Sequence, residues 1–237
     1  MSGNHVTPME AVDFALGRLI AECFRSLSPE SGPKAMQRFL ARPDKEKIYV
    51  VRNDDVQAAL RRLAGHEDEP TTDKKRRTPD LPIIMYYREQ GVAADPNQHI
   101  QVAEVTRFIE EETLFAEDAA MRLTTIPLTL TYSMLFLAWD RASIEHLALA
   151  WWAYTAPLGR KHSRFLVPYT LDGEKFEVGA SLSSPREVLT SNEDMGDDGG
   201  RLWGSRTMCE VNTQAVVGGK VEVPDYFRLV GHWRVNE

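Results

Sequence analysis

The sequence predicts an α+β fold: a mainly antiparallel sheet with helices packed on one face, plus an N-terminal helical extension. Three observations predict it. Apolar residues recur at helical spacing over residues 12–27 and 144–151. They alternate with a period of two over residues 126–136 and 207–217. A tight-turn signal, Leu171-Asp172-Gly173-Glu174, joins two further extended runs.

Thr7-Pro8-Met9-Glu10 reads as a helix start, with Thr7 as cap, Pro8 in the first turn and Glu10 closing a capping box. Val12, Leu16, Leu19, Ile20, Cys23, Phe24 and Leu27 then share one face, until Ser28-Pro29 and Gly32-Pro33 stop the helix. Lys34–Leu40 adds a short second helix, and Lys47–Arg52 is a strand candidate. Asn53 and Asp54 can cap a helix over Asp55–Leu63. Residues 66–80 form a charged linker, acidic at Glu67, Asp68 and Glu69 and basic at Lys74, Lys75, Arg76 and Arg77. Leu81–Arg88 is the next strand and Gly91–Asn97 a turn, while Ile100–Glu112 fits either a strand or a helix.

Ile126, Leu128, Leu130, Tyr132, Met134 and Phe136 then alternate with smaller or polar residues, which predicts a long strand with Pro127 at its start or on an edge. Asp140 caps a helix whose stripe is Ile144, Leu147, Ala148 and Trp151, widened by Leu149, Trp152 and Tyr154. Arg164–Tyr169 and Lys175–Leu182 flank the tight turn, and Ser183–Gly200 is a polar loop. Arg206–Val217 alternates again, with Thr207, Cys209, Val211, Thr213, Ala215 and Val217 on one face. Gly218-Gly219 turns this strand into Lys220–Val223, and Tyr226–Trp233 is the last strand. The organisation expected is a helical segment over 1–65 packed on the main domain, the linker 66–80, and an α+β domain over 81–237.

Composition narrows the chemistry. The chain has 237 residues, 28 Lys+Arg against 35 Asp+Glu, and a formal net charge of −7. A protein that coats nucleic acid needs clustered positive charge, so that class is disfavoured. Cys23 and Cys209 stand far apart, which argues against a disulfide scaffold and predicts two buried, reduced thiols. The stretch Leu123–Trp139 carries no charge but is too short, and too rich in Thr and Ser, for a membrane helix. Met1–His5 has no basic region followed by an apolar one, so synthesis in the cytoplasm without a signal peptide is expected.

No phosphate-binding glycine loop, nucleophile elbow or His-Glu-x-x-His motif occurs, and the six histidines are dispersed. No catalytic residue, metal ligand or cofactor is therefore expected. His146, beside Glu145, reads as a partly exposed structural histidine. Glu193, Asp194, Asp197 and Asp198 could hold a hard cation, but their spacing is not that of an EF-hand and a solvated loop is expected. Arg160, Lys161 and His162 form a small basic loop. These seven residues are candidates for partner docking or for lining a lumen. The helix bearing Leu147, Leu149, Trp151, Trp152 and Tyr154 is apolar around more than one stripe and wants cover on two sides. A second subunit is one such cover, which makes Leu147, Trp151, Trp152, Tyr154 and Tyr132 subunit-interface candidates, with Trp139 beside them. A long strand left as an open edge would also need a neighbour, and ring closure supplies one.

The segment Ile126-Pro127-Leu128-Thr129-Leu130-Thr131-Tyr132-Ser133-Met134, the apolar helix after it, and Phe165-Leu166-Val167-Pro168-Tyr169 resemble the middle of phage tail structural proteins. The resemblance is to the tail terminator, tail completion or sheath-stabiliser proteins of contractile-tailed phages. It runs over roughly Leu81–Val223 and is one of pattern and order; residues 66–80 and 192–200 fall outside it. It implies a virion protein, made in the host cytoplasm, that forms a hexameric ring at the tail–neck junction. Its partners would be the tail tube, the sheath and the neck connector, with DNA passing through an acidic lumen without specific binding. A baseplate component is the neighbouring reading. A small hydrolase using His146 or His162, or a DNA-binding module using Lys74–Arg77, is more remote.

Overall fold

The computed structural model describes residues 7–28, 30, 32–51, 80–94, 119–156, 163–171, 174–183, 191–194 and 203–222. Thr7 caps α1 (Pro8–Arg25): its hydroxyl accepts from the Glu10 N–H at 3.2 Å, and the Glu10 carboxylate accepts from the Thr7 N–H at 2.9 Å. Two otherwise orphaned helix-end donors are thereby satisfied. The expected stripe of α1 is buried from Val12 to Phe24, with Leu27 packed at the rim. In α2 (Lys34–Ala41), Met36 and Phe39 are buried, and the Phe39 ring meets Phe24 edge-on at 5.5 Å.

This N-terminal segment is tied into the rest of the chain. The Arg42 guanidinium donates to the carbonyls of Asp80 and Pro82. The Lys47 ammonium lies buried 5.2 Å from the Phe39 ring centre and 3.4 Å from the Asp44 carboxylate. Burial lowers the Lys47 pKa, against Asp44, which raises it.

A seven-stranded sheet forms from β1 (Ile48–Val50), β2 (Ile83–Ala94), β3 (Ala119–Ala138), β4 (Arg164–Leu171), β5 (Glu174–Ser183), β6 (Ser191–Asp194) and β7 (Trp203–Glu222). Its order is β1-β2-β3-β7-β5-β4, with β6 also paired to β7. The α+β class holds, but the sheet is mixed, because β1 runs parallel to β2 while every other described pair is antiparallel. A parallel neighbour needs a long crossover, and the stretch between Val50 and Ile83 is long enough to make one. The expected helix Asp55–Leu63 and the basic run Lys74–Arg77 lie in that stretch, outside the described residues; Ile100–Glu112 and Tyr226–Trp233, later in the chain, lie outside them as well.

Asp140 caps α3 (Arg141–Thr155), accepting from the Ser143 N–H at 2.7 Å and from its hydroxyl at 2.8 Å. One sheet face packs Ile84, Tyr86, Leu130, Tyr132, Met134, Phe136 and Val211 against α1, α2 and α3. The alternation in β3 is therefore a core stripe. At the end of β3 the other face is buried too, where Leu135 and Leu137 join Leu81, Ile83 and Met85.

Three expectations need correction, and one is met in its second form. Pro127 lies inside β3 rather than at its start, but on an edge: β2 pairing ends one residue away, at Leu128 opposite Ala94, leaving β7 alone as its described neighbour. That is where a residue without an N–H is tolerated in a ladder. Residues 91–94 are not a turn, because a register shift between Arg88 and Val92 absorbs the irregularity and β2 continues to Ala94. Gly218-Gly219 does not turn the chain; these residues pair with Leu123 and Arg122, because β3 begins early enough to offer them partners. Part of the expected loop 183–200 is a strand, β6, that takes the β7 edge at residues 203–206.

Candidate functional site

The faces of α3 differ in burial. Ile144, Leu147, Ala148 and Trp151 are core, whereas Leu149 is 56% exposed and Trp152 41% exposed. They are three residues apart and so share a face. Trp139, at the junction of β3 and α3, is 45% exposed. Two turns toward the helix start, the same side carries an Arg141–Glu145 ion pair at 2.7 Å. Tyr154 is half-buried, and burial, with Glu22 and Cys23 adding, raises its hydroxyl pKa.

Three interface candidates are corrected here. Leu147, Trp151 and Tyr132 are no more than 1% exposed in the single chain, so their side chains are core and offer a partner no surface. Nor is β3 an open edge, since β2 and β7 flank it from Leu128 to Leu137. Trp152 and Trp139 keep their candidacy, and Leu149 joins them. Among the docking candidates, Glu193 and Asp194 lie in β6, paired with Gly204 and Trp203. Arg160, Lys161, His162, Asp197 and Asp198 lie outside the described residues.

His146 is half-buried on α3 and closes against Gly32 in the turn before α2. Gly32 has φ +79°, and a Cβ there would sit 3.1 Å from His146 Nε2. That backbone conformation suits glycine, and the contact gives His146 a packing role. Both cysteines are buried free thiols, as expected, and burial raises both pKa values, that of Cys209 to about 12. Among the described residues no group of three or more His, Cys, Asp or Glu side chains could hold a metal ion. None of the described helices is long and apolar enough to cross a membrane.

Sequence reasoning missed one polar cluster. Asp13 of α1 accepts from the Tyr132 hydroxyl at 2.6 Å and lies 3.3 Å from the Arg88 guanidinium. The Tyr86 hydroxyl donates to the Asp13 carbonyl at 3.0 Å, and Gly17 leaves the room for that hydroxyl to approach the helix. Burial raises the Asp13 pKa, opposed by Tyr132 and Arg88 and reinforced by Glu10. The cluster fastens α1 to β2 and β3. Nothing near Asp13 in the sequence signals it, because its partners lie in distant strands.

A groove of about 440 Å³ also opens where the β4–β5 hairpin parts from the β3–β7 ribbon. Neither protein-family models nor curated proteins match this chain.

Proposed function

We infer that the chain is a structural, non-catalytic subunit of a contractile phage tail. It closes into a hexameric ring that ends the tail tube, holds the last sheath ring and joins it to the neck. One observation carries the reading: α3 has a second apolar face, Leu149 and Trp152, that is exposed among the described residues, and Trp139 just before the helix is exposed as well. Burying a large apolar side chain is worth about 1.5–3 kcal/mol, so this face favours association. The likeness of residues 126–134, α3 and residues 165–169 to tail terminators gives the association its setting. The net charge of −7 suits a lumen through which DNA slides, because negative walls repel phosphate. The reading needs no cofactor.

The test is the particle itself. Mass measurement and negative-stain images of the purified protein should show rings, and antibody labelling of virions should mark the neck end of the tail. Label at the opposite end would make it a baseplate part. A strict monomer missing from virions would overturn the proposal.

A further inference from the structure

Gly179 has no explanation among the described residues. It lies within β5, opposite Leu166 of β4. Its backbone is not in the left-handed region, and a Cβ added there meets nothing within 4 Å. Glycine weakens a strand interior, and its common justification there is the close approach of a ligand or another backbone.

The space beside Gly179 is the groove. β5 follows β7 only at Ser181–Ser183, opposite residues 212–210, and from Ala180 back to Glu174 it keeps only β4 among the described strands. The gap is floored by Pro127 and Leu128 of β3 and by Thr213 and Gln214 of β7. Thr213 is 7% exposed, and its buried hydroxyl has no hydrogen-bond partner among the described residues. Among the described residues, Arg164 is the one charged side chain lining the groove. Among the described residues the walls are thus strand backbones, with the Gln214 carbonyl accepting from the Tyr169 hydroxyl, the apolar residues Pro127, Leu128, Phe165 and Leu166, one orphaned hydroxyl and one cation.

That chemistry selects an extended main chain carrying a carboxylate. Strand backbones recognise extended segments through their unpaired N–H and C=O groups, and a lone arginine favours an acid. The chain has such acids in surplus, 35 against 28 basic residues. Head-to-tail ring contacts place unlike surfaces together, a recess on one subunit receiving a projecting segment of the next. We propose that the groove between β5 and β7 receives an extended, carboxylate-bearing segment of a second copy of this chain, beside Gly179 and against Arg164. The proposal rests on the ring reading above and names one of its contacts.

Sedimentation velocity on the full chain tests it, with Gly179→Trp, Arg164→Glu and Lys175→Glu variants whose folding is checked by circular dichroism. Gly179→Trp fills the groove from a position with no neighbours to displace. Lys175→Glu makes the same charge change as Arg164→Glu on an exposed β5 residue outside the groove. The concentration for half-assembly should rise roughly ten-fold or more in the first two variants and stay unchanged in the third. If both groove variants assemble like the parent, the groove proposal fails and the ring reading stands. A loss in Lys175→Glu equal to that in Arg164→Glu also overturns it, since the effect would then be general charge. A parent protein that stays monomeric at every concentration sinks both.

Discussion

Gly32 and Asp13 show how single residues hold the N-terminal segment in place. At Gly32 the positive φ and the His146 ring act together. Any side chain there strains the backbone and pushes on α3. Gly32→Ala should therefore cost about 1–3 kcal/mol, read as a lower midpoint in urea denaturation with an unchanged slope. Asp13 makes a pH-dependent contribution whose sign follows from its raised pKa. A carboxyl whose folded pKa lies above its unfolded value binds protons more tightly when folded. Its stabilising contribution is complete below the unfolded pKa, about 3.9, and is lost as pH rises through the folded value. Asp13→Asn removes this titration. The stability advantage of the parent over Asp13→Asn should shrink between pH 4 and pH 7, measured by denaturation of both proteins across that range. An advantage that grows with pH would mean that Arg88 and Tyr132 outweigh burial.

Helix α3 puts two tryptophans side by side in the chain and on opposite sides of the protein surface. Trp151 is fully buried, its indole N–H without a hydrogen-bond partner, while Trp152 is exposed. Trp151→Ala should cost about 3–5 kcal/mol by opening a core cavity, and Trp152→Ala distinctly less, both read by urea denaturation. The stripe Ile144, Leu147, Ala148, Trp151 was legible in the sequence because a helix with a buried face repeats at a fixed spacing. So were the Thr7 and Asp140 caps, because capping acts between near neighbours. What escaped reading depends on distant partners. Gly218-Gly219 reads as a turn when considered alone, yet β7 accompanies β3 along its whole length and keeps this segment extended. The groove was invisible for the same reason, since its walls come from four strands spread over residues 127–214. The second α3 face was foreseen, but the sequence assigned Leu147 and Trp151 to it as well, because an all-round apolar helix does not say which side meets its own sheet.

At the scale of the whole molecule, the described sheet ends resist strand-to-strand growth. β1 is only three residues long. On β4, Pro168 removes a donor, and the Arg18 side chain donates to the Leu166 carbonyl at 3.4 Å, occupying an acceptor. Short, proline-bearing and covered edges are how sheets avoid pairing with their neighbours. Self-association is thus directed away from these outer edges, to the apolar side of α3 and the groove beside Gly179. These two contacts respond differently to solution conditions. Burial of Leu149 and Trp152 is apolar and is strengthened by salts excluded from protein surfaces, such as sulfate. A carboxylate on exposed Arg164 is screened as ionic strength rises, and at 1 M salt the screening length falls to about 3 Å. The Leu149→Asp, Trp152→Asp double variant should remain folded, since both side chains lie on the exposed side of α3, and should fail to assemble. In Arg164→Glu, by contrast, sulfate should recover assembly through the intact α3 face, while chloride at equal ionic strength should recover less. Light scattering across a sulfate series and a chloride series, run on both variants, separates the two contacts. Equal rescue of both variants by sulfate would remove the α3 face as the apolar contact.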